Sequence, residues 1–311
     1  MRFLTILWRF ILAKEVKGTI VQIQQKMDII NSIDFEKHDA DVLVATTFTK
    51  LGRDELKKFP NLEYLQKAST GYDNVDTDYV KEEGITLCNI PTANKQSIAE
   101  HVIAFTQAIV KNMVFLNPEL KDYKNWPVLT GSYDMEGRTF GILGMGMIGI
   151  QLAKRLVPFN VSIIYNDIRR LSQEEEERLG LNFVAFDELL QSSDIISIHL
   201  PLTEITRNMF GTEQFSKMKD GAIFINTLRG EIVDEKALVK AVIEKGIRAG
   251  IDVYPEEPPV FLSELFKFPN MICSPHIAGV TMESQQRFLA KTIWNVLRYA
   301  QGIEPLYKVI S

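Results

Sequence analysis

The stretch TFGILGMGMIG, residues 139 to 149, decides the fold of this chain. It begins as an apolar run typical of a strand and continues into Gly144, Gly146 and Gly149 in G-x-G-x-x-G spacing. A helical run, IGIQLAKRLV, follows from residue 148. A tight turn between a strand and a helix needs glycine where the backbone turns sharply or packs closely, so the pattern predicts a strand–loop–helix unit.

The next strand makes this unit more specific. VSIIYN, residues 161 to 166, is followed by Asp167, which lies 18 residues after Gly149. This spacing is typical of a dinucleotide site, in which the glycine loop and the helix N-terminus bind the pyrophosphate and the acid accepts hydrogen bonds from the ribose. Because a carboxylate repels a 2′-phosphate, NAD is expected in preference to NADP. The cations Arg169 and Arg170 lie close enough in sequence to offset that repulsion.

Short β-branched or aromatic runs alternate with amphipathic stretches along most of the chain. Examples are ADVLVATT, ITLCNI, DIISIHL, GAIFIN and RAGID. This alternation predicts an α/β fold with parallel sheets, and the fully apolar strands from Thr139 onward indicate helices on both faces. The apolar start, MRFLTILWRFIL, is interpreted as a first strand, because Arg9 interrupts it and no small-residue cleavage site follows. About 140 residues precede Gly144, so the dinucleotide domain must follow another domain or be inserted in it.

Composition and charge exclude several classes of function. A length of 311 residues with 46% hydrophobic content predicts two domains. The net charge of −5 gives no reason to expect binding to nucleic acid or to an anionic membrane. No apolar stretch approaches the ~18 residues of a membrane span, so a cytoplasmic protein is expected. Cys88 and Cys273 are expected to be buried thiols, with no disulfide and no metal site.

Two long helices and one irregular segment stand out. Ser97 and Glu100 have capping-box spacing ahead of the first helix. The second helix, after Thr281, carries four apolar residues on one face: Leu289, Ile293, Val296 and Ala300. Periodicity lapses between Asn112 and Arg138, and a long free loop is uncommon in a compact domain. That segment is therefore expected to pack on a neighbouring element or on a partner subunit.

Three later segments each carry polar residues at the end of a predicted strand. They are INTLRGEIVDE with Arg229, GIDVYPEEPP with Asp252 and Glu257, and CSPHIAG with His276. Carboxyl ends of parallel strands line the ligand crevice, so these side chains should converge. The set suits reduction of a 2-keto acid. Arg229 would bind the carboxylate, His276 would donate a proton, and Glu257 would stabilise the imidazolium.

With these motifs the chain resembles the D-isomer specific 2-hydroxyacid dehydrogenases, which include glyoxylate/hydroxypyruvate reductases, D-lactate dehydrogenases and phosphoglycerate dehydrogenase. The resemblance extends over essentially all 311 residues, through STGYDNVD (69 to 76), SIAEH (97 to 101), GILGMGMIG (141 to 149), HLPLT (199 to 203), NTLRGEIVDE (226 to 235), DVYPEEP (252 to 258) and SPHIAG (274 to 279). It implies an NAD-dependent oxidoreductase that moves a hydride between NAD(H) and a small D-2-hydroxy acid or 2-keto acid, such as glyoxylate or hydroxypyruvate.

The resemblance also implies an architecture of two doubly wound parallel-sheet domains, with a Rossmann NAD-binding domain inserted in a flavodoxin-like substrate domain. The substrate domain would comprise residues 1–92 and 282–311, and the NAD-binding domain residues 93–281. The helices that begin near Ser97 and Thr281 would then connect the domains at a hinge. Residues 113 to 138 would be the dimerisation arm of a homodimer.

The family motifs assign roles to residues. Arg229, Glu257 and His276 would be catalytic, with Glu257 rather than Glu256 chosen because it directly precedes Pro258. Asp252 would meet the nicotinamide carboxamide. The residues expected to bind the cofactor are Gly144, Met145, Gly146, Met147, Ile148, Gly149, Asp167, His199, Pro201, Thr206, Thr227, Leu228, Arg229, Asp252, His276 and Gly279. The residues expected to bind substrate are Ser69, Thr70, Gly71, Tyr72, Arg229 and His276.

Alternative functions stay open at this point. Phosphoglycerate-specific members carry an arginine in the loop after the strand that matches DVLVATT, where this chain has Ala45 and Thr46, so a phosphorylated substrate is disfavoured. A non-catalytic, NAD-sensing corepressor is possible on the same fold, although the intact catalytic trio argues against it. Oxidation of formate or phosphite is a weaker alternative. His101, which lies within a predicted helix, is interpreted as a packing residue.

Overall fold

The structure of the chain is a computed structural model that describes residues 3–6, 27–30, 37–46, 49–126, 131–259, 264–269 and 271–310. For residues 3–6 and 27–30 only the backbone is described. The chain divides into two compact units. The first, Met1–Asn94 with Thr281–Ser311, is called the split unit here, and the second, Lys95–Val280, is called the central unit.

The elements are numbered in chain order. The strands are β1 (Phe3–Ile6), β2 (Met27–Ile30), β3 (Val42–Ala45), β4 (Tyr64–Lys67), β5 (Thr86–Cys88), β6 (Thr139–Leu143), β7 (Ser162–Asn166), β8 (Leu181–Phe183), β9 (Ile195–Ile198), β10 (Ile223–Asn226), β11 (Arg248–Ile251), β12 (Met271–Cys273) and β13 (Lys308–Ile310). The helices are α1 (Arg53–Leu56), α2 (Thr77–Glu82), α3 (Lys95–Val110), α4 (Met113–Lys121), α5 (Met147–Leu156), α6 (Gln173–Leu179), α7 (Phe186–Ser192), α8 (Thr212–Lys217), α9 (Glu235–Lys245) and α10 (Met282–Ala300).

The split unit is built on a six-stranded sheet in the order β2-β1-β3-β4-β5-β13. The first five strands are parallel, and β13 joins β5 in the antiparallel direction. The 2-1-3-4-5 order is that of a flavodoxin-like sheet. Strands β3 and β4 are wholly buried, and the ring of Tyr64 stacks on Tyr299 of α10 at 4.3 Å between centroids. This sheet matches the predicted fold of the substrate domain.

Helix α10 buries polar as well as apolar side chains. Of the four apolar residues that share one face in the sequence, Val296 is buried, and the helix also buries Phe288 together with three polar residues, Ser284, Thr292 and Asn295. The Asn295 amide donates to Gln66 Oε1 at 3.0 Å and to the Leu306 carbonyl at 2.7 Å. Burial of a polar side chain is tolerated when its hydrogen bonds are made inside the protein. The apolar pattern alone therefore does not account for all the buried residues of this helix.

The central unit is built on a seven-stranded parallel sheet in the order β8-β7-β6-β9-β10-β11-β12. Two apolar clusters cover it, one formed with α3 and α5 and the other with α7, α8 and α9. Strand order reverses between β6 and β9, which is the switch point of a Rossmann fold. The predicted α/β class with two doubly wound sheets is confirmed.

The irregular segment from residue 113 to 138 is partly helical. It begins with α4, although its apolar residues follow no helical period, and no residue of that helix is buried. Beyond it, Met135 is buried in the core of the central unit, so residues near it pack on their own unit. Pro127 and the three residues after it lie outside the described residues.

Within the described ranges, no helix is both long and apolar enough to cross a membrane. The same ranges hold no group of three or more His, Cys, Asp or Glu residues that could bind a metal ion. Cys88 is buried and Cys273 is half-buried, and both are free thiols. Burial raises the pKa of the Cys88 thiol to about 11, so it stays protonated at neutral pH.

Two isoleucines test the packing of the central sheet. Ile196 of β9 is fully buried, whereas Ile168 is fully exposed. We expect Ile196→Ala to lower the thermal unfolding midpoint by roughly 5 to 15 °C, because a cavity in a close-packed core costs about 2 to 5 kcal/mol. Ile168→Ala deletes the same atoms from the surface and should leave the midpoint within about 2 °C. Equal midpoints for the two variants, measured by circular dichroism, would contradict the described core.

Candidate active site

The loops at the carboxyl edge of the central sheet carry most of the predicted site residues. Because all seven strands are parallel, the loops that follow them lie at the same edge. The glycine loop follows β6 and His199 follows β9, on either side of the switch point. Arg229, Asp252 and His276 follow β10, β11 and β12. The topology alone therefore brings these segments together.

The three glycines of the loop meet different constraints. Gly144 has φ 97°, and a Cβ there would lie 2.6 Å from the carbonyl oxygen of His199. A Cβ on Gly149 would lie 2.3 Å from the carbonyl oxygen of Gly144. A Cβ on Gly146 would meet no other described residue within 4 Å. Two glycines thus allow close packing of the chain on itself, and Gly146, at the N-terminus of α5, leaves space for a ligand to approach.

Asp167 is bound directly to the glycine loop. One carboxylate oxygen accepts a hydrogen bond from the backbone N–H of Met145 at 2.6 Å, and the other accepts one from the N–H of Arg169 at 3.0 Å. Met145 is buried, whereas Met147 and Gly146 are exposed. The carboxylate therefore lies beside the loop, at the end of β7 where a Rossmann fold places the adenosine ribose.

The two arginines after Asp167 have different environments. Both are exposed, but Arg170 donates from Nε and a terminal nitrogen to the two oxygens of Glu176, each at 2.9 Å. Tyr165 Oη donates to the same carboxylate at 2.6 Å. The hydrogen bonds from Arg170 and Tyr165 lower the pKa of Glu176 to about 2, although desolvation opposes them. The sequence treated Arg169 and Arg170 alike, and the structure separates them.

Two buried polar atoms near the switch point have no hydrogen-bond partner among the described residues. They are His199 Nδ1 and Thr227 Oγ1. His199 Nε2 lies 2.9 Å from Ser197 Oγ, and burial lowers the pKa of His199 to about 3, so the ring is neutral. Buried polar groups are nearly always paired, so these atoms fit a ligand that completes their hydrogen bonding. Together with Gly146 and Asp167 they fit a dinucleotide.

The loop after β9 is stabilised by its own threonines. Thr206 Oγ1 donates to the carbonyl of Pro201 at 2.7 Å, and the Thr203 N–H donates to Thr206 Oγ1 at 2.8 Å. Thr206 thereby holds the turn that carries Pro201. Both residues were predicted to bind the cofactor, and the structure shows what keeps them in place.

Arg229 is held by two residues that the sequence reading missed. Asn226 Nδ2 donates to the Arg229 carbonyl at 2.8 Å, and Asn226 Oδ1 accepts from the Leu228 N–H at 3.1 Å. A Cβ on Gly230 would lie 2.0 Å from the backbone carbon of Tyr254, so glycine is required at this close approach. The arginine loop therefore packs on the segment that leads to Glu257. Two features of the sequence could have indicated these supporting roles. They are the position of Asn226 at the end of β10 and the glycine directly after Arg229.

Glu257 and His276 form a direct pair. Glu257 Oε2 lies 2.7 Å from His276 Nδ1, and Glu257 Oε1 accepts from the Tyr254 N–H at 3.1 Å. Burial raises the pKa of Glu257, but the hydrogen bond and charge of His276, the Tyr254 amide and the charge of Arg229 outweigh it, so the pKa lies below its ordinary value. Glu257 is therefore ionised at neutral pH. Glu256 is exposed.

Asp252 anchors the loop that carries His276. Its carboxylate is fully buried and accepts hydrogen bonds from Ser274 Oγ, from the Ile277 N–H at 2.8 Å and from the Ala278 N–H at 2.8 Å. The His276 N–H donates to the Asp252 carbonyl at 2.7 Å. Contact between Asp252 and a nicotinamide carboxamide stays a prediction. The sequence did not predict that Asp252 anchors residues 274 to 278, which end directly before Gly279.

His101 joins the same polar cluster. Its Nε2 lies 3.2 Å from Ser274 Oγ and 4.0 Å from Asp252 Oδ1, and its ring meets Phe105 edge to face at 4.4 Å. Burial lowers the pKa of His101, and the charge of Asp252 opposes that shift. The packing role predicted for His101 is therefore incomplete, because its ring also contacts the serine that binds Asp252.

The predicted substrate loop, Ser69 to Tyr72, follows β4 of the split unit. The Asn89 amide donates to the Thr70 carbonyl at 2.7 Å, Ser69 Oγ donates to the Gly71 carbonyl at 2.8 Å, and the Thr70 hydroxyl donates to Asn94 Oδ1 at 2.9 Å. Tyr72 is exposed. Side chains thus satisfy the carbonyls of a compact turn at the carboxyl edge of this sheet.

Comparisons with known proteins agree with this geometry. A family model described as "D-isomer specific 2-hydroxyacid dehydrogenase, NAD binding domain" matches residues 103–278. Glyoxylate reductase of Thermococcus litoralis is 36% identical over 275 residues, which is 86% of this chain and 82% of that protein. Glyoxylate/hydroxypyruvate reductase B of Escherichia fergusonii is 38% identical over 253 residues, covering 79% and 78% of the two chains. A crystal structure of D-lactate dehydrogenase from Aquifex aeolicus, complexed with NAD and lactic acid, superposes with a TM-score of 0.85 at 27% identity over 97% and 96% of the chains.

The glycine loop provides a matched pair of variants. Gly149→Ala places a methyl group against the Gly144 carbonyl, so we expect a clear loss of thermal stability. Gly146→Ala adds the same methyl group in open space, so we expect an unchanged unfolding midpoint but NADH binding weakened by about tenfold or more, since the methyl group lies where the pyrophosphate approaches. Thermal unfolding and NADH fluorescence titration measure the two effects. Wild-type NADH affinity in Gly146→Ala would refute the ligand-facing role of this position.

Proposed function

We propose that this chain, which belongs to the D-isomer specific 2-hydroxyacid dehydrogenase family, transfers a hydride between NAD(H) and a small D-2-hydroxy acid or its 2-keto acid. The observation that carries the proposal is the Glu257–His276 pair, 2.7 Å apart and within electrostatic range of Arg229. A guanidinium, a carboxylate and an imidazole at one sheet edge form the set that keto-acid reduction needs. Relatives named for glyoxylate and hydroxypyruvate support these two acids as substrates.

Each side chain of this set has a task in the proposed reaction. Bound NADH would supply the hydride. Arg229 would bind the substrate carboxylate through its planar fork and polarise the neighbouring carbonyl. His276 Nδ1 is paired with Glu257, so Nε2 is the atom that can donate a proton to the carbonyl oxygen. Glu257 would stabilise the imidazolium before that transfer and would hold the ring in place. In the oxidative direction, neutral His276 would accept the proton.

NAD is the preferred cofactor in this proposal. The Asp167 carboxylate is tied to the glycine loop, where it would accept hydrogen bonds from the ribose and repel a 2′-phosphate. Arg170 forms its ion pair with Glu176. The side chains with unpaired atoms, His199 and Thr227, support the placement of the dinucleotide along the switch point. The contacts of Leu228, Ile148 and Gly279 with the cofactor remain predictions.

A homodimer in the cytoplasm completes the proposal. The exposed apolar residues between positions 113 and 126 support association through this segment: Met113, Val114, Phe115, Leu120, Tyr123 and Trp126. Apolar side chains gathered on one exposed segment are typical of a protein interface. Analytical ultracentrifugation tests the dimer, and a monomer at micromolar concentration would refute it.

A substrate panel tests the function. Oxidation of NADH is followed with glyoxylate, hydroxypyruvate, pyruvate and 3-phosphohydroxypyruvate, and the configuration of the chiral products is determined. We expect turnover of small unphosphorylated keto acids and D-configured products. Binding of NADH without turnover of any keto acid would instead favour a sensing role. Preference for the phosphorylated acid would favour a phosphoglycerate dehydrogenase.

Arg229→Lys tests the carboxylate fork. Lysine retains the charge but cannot make two parallel hydrogen bonds, so we expect kcat/KM for the keto acid to fall by about 10² or more. Arg178→Lys, an exposed position on α6, is the matched control and should keep wild-type kinetics. If steady-state kinetics show Arg229→Lys to be as active as the control, Arg229 does not bind the carboxylate.

Glu257→Gln tests the pairing through the pH dependence of both directions. Glu257 has a pKa below its ordinary value, so its negative charge is present throughout the neutral range and stabilises the imidazolium. An imidazolium that lacks a carboxylate partner loses its proton more readily. The high-pH loss of reductive kcat/KM and the onset of oxidative activity should then both move to lower pH. Glu256→Gln is the matched control, and overlaying profiles for the two variants would rule out the pairing.

A further inference from the structure

Arg170 occupies a place where an arginine commonly serves a different cofactor. It lies three residues after Asp167, beyond the carboxyl end of β7. In Rossmann domains that bind NADP, an arginine near this strand end accommodates the 2′-phosphate. The Arg170 side chain is 63% exposed, so nothing in its burial prevents that role. Its ion pair with Glu176 takes Nε and one terminal nitrogen, which form one of the two bidentate edges of the guanidinium.

We propose that Glu176 is a residue that determines cofactor selectivity, because it holds Arg170 in an ion pair away from the position of a 2′-phosphate. The inference rests on the proposed function, since it concerns the choice between NAD and NADP at that same site. It adds a second determinant to the repulsion by Asp167. Glu176 acts through Arg170 and is therefore a positioning residue.

The geometry of Glu176 shows why it retains the arginine. Its side chain is 9% exposed and is fixed from a second element, because Tyr165 Oη on β7 donates to Oε1 at 2.6 Å. Tyr165 Oη in turn accepts from the Leu171 N–H at 2.9 Å, so strand, loop and helix α6 are joined through one hydroxyl. A prearranged carboxylate forms a bidentate pair with little further loss of side-chain freedom.

Two further contacts favour the paired position. The guanidinium carbon of Arg170 lies 5.4 Å from the centroid of the Phe183 ring, within the range of a cation–π contact. The pKa of Glu176, lowered to about 2 by the hydrogen bonds of Arg170 and Tyr165, keeps the carboxylate ionised at every pH at which the enzyme would work. A 2′-phosphate must therefore compete with an intact ion pair, whereas the ribose hydroxyls of NAD need only Asp167.

Glu176→Gln tests this directly. Glutamine keeps an oxygen for Tyr165 but removes the charge that holds Arg170. We expect the dissociation constant of NADPH to fall by about tenfold, as a new charge-assisted hydrogen bond to phosphate would give, and that of NADH to stay within about twofold. The matched control is Glu174→Gln, which removes the same charge from an exposed position of the same helix and should change neither constant. Adding Arg170→Ala to Glu176→Gln should abolish the gain.

Binding is measured by fluorescence titration of NADH and NADPH and by calorimetry with AMP and adenosine 2′,5′-bisphosphate, none of which requires turnover. The single variant Arg170→Ala, at an exposed position, should leave both affinities unchanged. Weaker NADPH binding in Arg170→Ala would show that Arg170 already reaches the phosphate and would overturn the inference. A Glu176→Gln variant with the wild-type ratio of NADPH to NADH affinity would overturn it as well.

If Glu176→Gln does not fold, Tyr165→Phe should shift the ratio of the two affinities in the same direction, and an unchanged ratio there counts against the inference. A wild type that binds neither cofactor would refute the proposed function as well.

Discussion

The geometry of the candidate active site depends on the hydrogen bonds that the buried carboxylate of Asp252 accepts. An ionised group removed from water is costly unless donors surround it, and here a serine hydroxyl and two backbone amides do so. All three donors belong to the segment from Ser274 to Ala278. His276, within that segment, has φ 54°, in the left-handed region that side chains other than glycine rarely adopt. The hydrogen bonds to Asp252 thus hold the histidine in a conformation that the backbone alone would not favour.

The same edge of the sheet combines dense packing with reserved space. Gly144, Gly149 and Gly230 each let backbone approach backbone more closely than a Cβ would allow. A Cβ on Gly146 would meet no other described residue within 4 Å, and His199 and Thr227 present buried atoms that have no hydrogen-bond partner in the described part of the chain. Tightly packed backbone therefore surrounds positions that fit a bound ligand. A site arranged in this way binds its ligand with little reorganisation, which favours affinity and orientation.

Several charged side chains at this edge are paired with other side chains of the protein. Glu257 is paired with His276, and Arg170 is paired with Glu176. Such pairs decide which groups can respond to a ligand. His276 Nδ1 and the Arg170 guanidinium each have a partner inside the protein. In the proposed reaction these pairs would leave His276 to transfer a proton through Nε2 and Asp167 to repel a 2′-phosphate.

The sequence by itself determined the α/β class, the glycine loop with Asp167, and the segments of Arg229, Glu257 and His276, because short-range spacing and strand periodicity encode these features. It did not determine the buried face of α10, where Asn295 is buried through hydrogen bonds to distant residues. Nor did it distinguish Arg170 from Arg169, or reveal that Asn226, Gly230 and Asp252 hold the loops of Arg229 and His276. Those facts depend on partners far apart in the chain, or on the precise approach of two backbones. Only the tertiary structure decides them, because no local pattern records which donor will face which acceptor after folding.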